Sequence, residues 1–195
     1  MINRKNGFTL IEVSILLVIF LIVAFLVAPL SLDDTTLAKN ISKWKNVQTD
    51  FENIFYTVNT TRSDAKTGFS EALNSVLKND IKEEIKSYKI LYMNGTYPSD
   101  TYRFKDYNLT YSNAVVSIKL FDEPQGDLRG LLMYDVNGTK SPNIWGKDVF
   151  GLYIYNDRFE PFGKSESVSR QKQDCSKAGT GLSCSNYYLL GGNFD

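Results

Sequence analysis

The chain has 195 residues, with 22 lysines and arginines set against 22 aspartates and glutamates, no histidine and two cysteines. Zero net charge excludes a broad basic field for nucleic acid, and the lack of histidine excludes His-based triads, His zinc sites and the usual proton shuttle near neutral pH. Beyond a leader and an anchor, about 160 residues remain, room for a single domain with one core.

The first predicted element is FTLIEVSILLVIFLIVAFLVAPLSL, Phe8 to Leu32, apolar except for Thr9, Glu12, Ser14 and Ser31. As a helix it extends roughly 37 Å, enough to span the hydrocarbon of a bilayer. Arg4 and Lys5 precede it and Asp33 and Asp34 follow. The positive-inside bias therefore keeps the N-terminus cytoplasmic and sends the rest outward. The following VAPLSLDD is a poor small-x-small site, so cleavage after the apolar run is not expected. A plain single-pass anchor accounts for the hydropathy but not for Glu12. A carboxylate there costs about 2–3 kcal/mol near the membrane centre, less near an end, and calls for a cation.

The next segment, TTLAKNISKWKNVQTDFENIFYTVNT, places Leu37, Ile41, Trp44, Val47, Phe51, Ile54 and Val58 at steps of three or four. This spacing predicts an amphipathic helix continuing the anchor, about 50 residues in all, whose apolar stripe needs a sheet to lie on. A juxtamembrane coiled coil is the alternative, weakened by only about three heptads and by bulky Trp44 and Phe51.

Thr67-Gly68 breaks the pattern. Ala72, Leu73, Val76, Leu77, Ile81 and Ile85 then read as one or two short helices, with Asp80 and Glu83 spaced like a cap. Strands are predicted over Lys89 to Met93 before Asn94-Gly95, Ala114 to Phe121, Gly130 to Asp135, and Val149 to Tyr155 before Asn156-Asp157. They form an antiparallel meander against the long helix. The polar stretch Lys164 to Lys177 reads as an exposed loop, and NYYLLGGNFD as a last edge strand with an ordered tail. The fold class is α+β, a long N-terminal helix on an antiparallel β-sheet.

Cys175 and Cys184 are the only cysteines. An outward-facing domain favours a disulfide between them, worth roughly 2–3 kcal/mol by loop closure; two free thiols in a reducing envelope remain the alternative. Candidates for catalysis would be carboxylates such as Asp135 and Asp148, and no nucleophile–base spacing supports it. No catalytic residue and no cofactor is assigned.

Lys5-Asn6-Gly7 followed by Phe8-Thr9-Leu10-Ile11-Glu12-Val13 resembles the prepilin signature of type IV pilins and type II secretion pseudopilins. The resemblance implies cleavage after Gly7 by a prepilin peptidase and N-methylation of the new first residue, Phe8. It implies that Glu12 pairs with the N-terminal amine of a neighbouring subunit and sets register, and that Pro29 bends the helix; a helix ending near the interface would explain Pro29 equally well. The implied partners are other pilin or pseudopilin subunits, the prepilin peptidase, an inner-membrane assembly platform and the membrane, without nucleic acid. The implied place is the inner membrane, single-pass, moving to the periplasm or cell surface on assembly. The corresponding organisation is leader 1–7, assembly helix 8–32, amphipathic continuation 33–62 and pilin-like region 63–195, whose C-terminal loop resembles the disulfide loop of many pilins.

DVNGTKSPNIWGKDVFG, Asp135 to Gly151, resembles a segment of some bacterial pilin-like proteins where a strand ends in Asp-x-Asn-Gly and resumes after Gly-x-Asp. Asp135, Asn137 and Asp148 offer hard oxygens of the kind calcium takes. The stronger reading is a tight Asn137-Gly138 turn with aspartates capping backbone amides, so no metal is assigned. The function expected is a structural subunit of a pilus-like or secretion filament, not an enzyme. The alternative is a membrane-anchored binding domain that never polymerises, which would keep Met1 to Gly7 and be indifferent to Glu12.

Overall fold

A computed structural model describes residues 10–61, 84–85, 89–102, 108–111 and 114–194; the side chains of 24–34, 54–55, 57–61, 84–85, 108–111 and 122–125 are not part of that description. By their internal contacts the residues fall into two compact units, Met1–Lys39 and Asn40–Asp195.

Helix α1 runs over Leu10–Thr61, the long helix that the two sequence patterns predict. Among the described residues the strands are β1 (Glu84–Ile85), β2 (Asn108–Tyr111), β3 (Ala114–Gln125), β4 (Leu128–Asp135), β5 (Val149–Tyr155) and β6 (Phe159–Pro161). They pair in sequence order, every neighbour antiparallel, which is a meander. Two short helices follow, α2 (Val168–Asp174) and α3 (Cys184–Leu189). The fold class is α+β.

The expected single core is divided by the sheet into two clusters. β4 shows why: Leu132 and Tyr134 point to one face, Leu131 and Met133 to the other, and all four are buried. A strand covered on both faces reads as a continuous apolar run, which is what GLLMY is. The first face receives the lower part of α1. Trp44 stacks on Phe150 with ring centroids 5.1 Å apart, and Phe51 meets Tyr134 and Phe159 edge-on at 5.8 and 6.3 Å. Trp44 also donates Nε1–H to the Ser185 carbonyl at 2.8 Å, so its one polar atom is buried without loss. On the second face the Phe162 ring lies directly over Gly151, where a Cβ would come within 2.2 Å of it. Glycine is required there by close approach.

Four expectations are corrected. Lys89 to Met93 is not a strand: Leu91 makes one isolated bridge to Ile144, while Met93 and Asn94 donate backbone N–H to Thr180 and Gly179. The segment divides its hydrogen bonds between two loops and so forms no ladder. Of the helices read over Ala72 to Ile85, residues 72–83 lie outside the described residues, and Ile85 stands in β1, paired with Asn108. The polar stretch Lys164 to Lys177 contains α2, whose first turn is capped by Ser167 Oγ accepting from the Arg170 N–H. Its buried Gln171 is held by Asn186 Nδ2, which donates to Gln171 Oε1 at 3.1 Å. Finally NYYLLGGNFD opens inside α3, not in an edge strand, because Tyr187 and Tyr188 are adjacent aromatics both buried in the first cluster. Strands β2 and β6 carry no expectation from the sequence and are short.

Candidate assembly site

The upper part of α1 is apolar around its whole circumference. Among Leu10 to Val23, twelve large aliphatic or aromatic side chains are exposed, from 49% at Val13 to 89% at Leu10. At about 1.5–3 kcal/mol each, leaving them in water forfeits on the order of 20 kcal/mol, more than the ~5–15 kcal/mol that holds a whole domain folded. Such a surface is built to be covered. Two polar groups interrupt it. Ser14 is neutralised locally, its Oγ donating to the Ile11 carbonyl at 2.8 Å. Glu12 is the one ionisable side chain among Leu10 to Val23.

Gly7 and Phe8 lie outside the described residues, as do Arg4 and Lys5. α1 continues through Pro29, whose side chain is also outside them. Among the described residues no helix is long and apolar enough to cross a membrane; the run Phe8 to Leu32 expected to do so includes residues 8–9 and the side chains of 24–34, which are not described.

Asp135, Asn137 and Asp148 are brought together, and the carboxylates act as caps. Asp148 Oδ1 accepts from the Ile144 N–H at 2.6 Å, and Oδ2 from the Asn143 N–H at 2.9 Å and Asn137 Nδ2 at 3.1 Å. Asp135 Oδ1 accepts from the Asn137 N–H at 3.2 Å. Burial pushes the Asp148 carboxyl above its ordinary pKa, and the hydrogen bonds from Ile144, Asn143 and Asn137 partly offset this. Among the described residues no group of three or more His, Cys, Asp or Glu is placed to hold a metal. The loop these caps shape is tied to α1 by Asn40 Nδ2, which donates to the Lys147 carbonyl at 3.3 Å, and by Lys43 Nζ, which donates to Val136 at 2.9 Å.

Cys175 and Cys184 are joined in a disulfide with Cα atoms 5.0 Å apart. The loop it closes has a second organiser that sequence reading misses. Asp174 Oδ1 accepts from both the N–H and the Oγ1 of Thr180 at 2.7 Å, and Oδ2 accepts from the Ser183 N–H at 2.9 Å. The readable signal is an aspartate immediately before the first cysteine with hydroxyl residues before the second, DCSKAGTGLSC. The loop rests on Gly146, whose positive φ of 80° favours glycine and where a Cβ would meet Cys184 Sγ at 2.6 Å. Tyr188 Oη donates to the Gly146 carbonyl at 3.1 Å from the other side.

No curated protein and no solved structure matches the chain. The family model of the prokaryotic N-terminal methylation motif matches residues 2–28, spanning the basic leader, Gly7, Phe8, Glu12 and the exposed apolar turns of α1. Over those residues the chain carries the N-terminal methylation motif, the signature of type IV pilins and pseudopilins.

Proposed function

We propose that the protein is a structural subunit, pilin or pseudopilin, of a type IV pilus-like or type II secretion filament. A prepilin peptidase cuts after Gly7 on the cytoplasmic side and Phe8 becomes the N-methylated first residue. The segment Phe8 to Leu32 then resides in the inner membrane with the C-terminal region outward, Pro29 bending it, until an assembly platform transfers the subunit into the filament. In that transfer the lipid around the apolar turns is replaced by the same turns of neighbouring subunits. Glu12 pairs with the amine of Phe8 on a neighbour; a subunit out of register would leave a carboxylate and an ammonium both unpaired in a medium of low dielectric.

The observation that carries this reading is the exposed apolar surface of Leu10 to Val23 with one carboxylate, Glu12, within it, coincident with the methylation motif. The test is intact-mass and N-terminal peptide analysis of the protein from cells possessing a prepilin peptidase. A chain beginning at N-methyl-Phe8 is the expected result, and Gly7→Val should leave the leader attached. A wild-type chain still beginning at Met1 would make it a simple anchored binding domain and sink the filament reading.

A further inference from the structure

Five asparagines stand in the acceptor pattern Asn-x-Ser/Thr: Asn40, Asn59, Asn94, Asn108 and Asn137. Transfer of a saccharide to an asparagine needs a side-chain amide that reaches solvent on a stretch of backbone outside helix and sheet ladder. Asn40 is buried and donates to the Lys147 carbonyl. Asn59 lies within α1, and Asn108 is laddered against Ser117 in the sheet. Asn137 is half-buried, with its Nδ2 committed to Asp148 Oδ2. Asn94 differs on each count. It stands with Gly95 and Thr96 at an exposed turn, Gly95 at a φ of 81° with open space where a Cβ would be. The turn is set from within, since the Tyr92 N–H donates to the Thr96 carbonyl at 2.8 Å and the Gly95 N–H to Tyr92 at 2.9 Å. Asn94 Oδ1 accepts from the Thr96 N–H at 3.0 Å and from Thr96 Oγ1 at 2.7 Å. Both hydrogen bonds fall on the amide oxygen and fix the amide plane of this exposed side chain.

We propose that Asn94 is an N-glycosylation site, the acceptor of a saccharide delivered on a lipid diphosphate by a membrane oligosaccharyltransferase. In the transfer Nδ2 attacks the anomeric carbon and a C–N bond forms. The C–O bond to the diphosphate breaks, the lipid diphosphate leaves with the electron pair, and one amide proton passes to a base of the transferase. The inference rests on the outward orientation proposed above for the C-terminal region. It gives that region a hydrated cover beside exposed Tyr97, in contrast with the apolar surface of α1.

The experiment is glycopeptide and intact-mass analysis of the full chain purified from its own cells. The expected result is a saccharide mass on the peptide containing Asn94, lost entirely in Asn94→Gln and in Thr96→Ala and kept in Thr96→Ser, with unchanged melting temperatures. Release by an amidase specific for N-linked glycans should leave aspartate at position 94. A chain that begins at N-methyl-Phe8 but carries a bare Asn94 overturns this inference alone, as does a saccharide at Asn40, Asn59, Asn108 or Asn137 instead. A chain that begins at Met1 with Asn94 glycosylated overturns the filament reading and leaves this one standing.

Discussion

The two parts of α1 use the same backbone to meet two different media. From Leu10 to Val23 every large apolar side chain is exposed and no face is preferred, whereas from Asn40 to Phe51 a stripe of Trp44, Val47 and Phe51 is buried while Lys43, Lys45 and Asp50 around it are exposed. Helical hydrogen bonding is equally satisfied in both. What differs is the covering: the chain's own sheet takes up the stripe of the second part, and among the described residues the apolar side chains of the first are left exposed. A helix therefore states its surroundings by the angular spread of its apolar residues, and a charge inside the all-round apolar part is informative because a carboxylate is costly in an apolar medium.

Substitutions at either end should separate the two parts. The largest effect is expected from Glu12→Ala, which should abolish or misregister filaments while leaving membrane insertion and the folding of the C-terminal region unchanged; sheared-fraction assay and electron microscopy read the first, membrane fractionation and thermal melting the others. Normal filaments from this variant would sink the pairing argument. The converse is Trp44→Ala. It removes the ring stacked on Phe150 and strands the Ser185 carbonyl, so a loss of about 3–5 kcal/mol is expected. Urea denaturation followed by the fluorescence of Trp145 would measure it, and a loss under about 1 kcal/mol would mean that the stripe is not docked on the sheet.

Smaller effects sharpen the picture within the second part. Replacing Cys175 and Cys184 together by serine should cost about 2–3 kcal/mol by loop closure. The loop should nevertheless keep its shape, because Asp174 and the backbone bonds from Met93 and Asn94 hold it without the sulfurs; amide exchange at Thr180 that rises to the free-peptide rate in this variant would refute that division of labour. Gly151→Ala puts a methyl group into the Phe162 ring and should cost about 1–3 kcal/mol by overpacking. Pairing it with Phe162→Leu should recover part of the loss, and strict additivity of the two would show that they do not share the space.

The N-terminal methylation motif was legible in the sequence, because a contiguous motif is a local property. The same holds for β5, where the predicted Val149 to Tyr155 coincides with the strand found, and for the stripe of Trp44, Val47 and Phe51. The C-terminal quarter was misread for a common reason. Gln171, Ser185 and Asn186 look like surface residues, and they are buried because each is satisfied by a group far away in the chain or across a turn: Asn186 on Gln171, Ser185 Oγ on the Gly151 N–H at 2.9 Å, and its carbonyl on Trp44. Polarity then no longer marks exposure, and Tyr187-Tyr188, which reads as a strand, packs instead from a six-residue helix. The aspartates of the Asp135 loop were legible as caps, since turn residues announce capping; which amides they cap, those of Asn143 and Ile144, depends on a loop closure that no local pattern specifies.

The smallest effect concerns Asp148. Burial raises its folded pKa above the ordinary 3.8, against the pull of the amides of Ile144 and Asn143 and the Asn137 side chain. The folded chain therefore holds this proton more tightly than the unfolded chain does. The contribution of Asp148 to stability is full below the unfolded value and is lost as pH rises through the folded one. Stability in urea, followed between about pH 4 and pH 7, should thus contain a component that falls with rising pH, and Asp148→Asn should remove that component while lowering stability throughout by turning an amide toward the donors of Asn143 or Asn137. A slope unchanged by the substitution would show that the three hydrogen bonds, and not burial, govern this carboxylate.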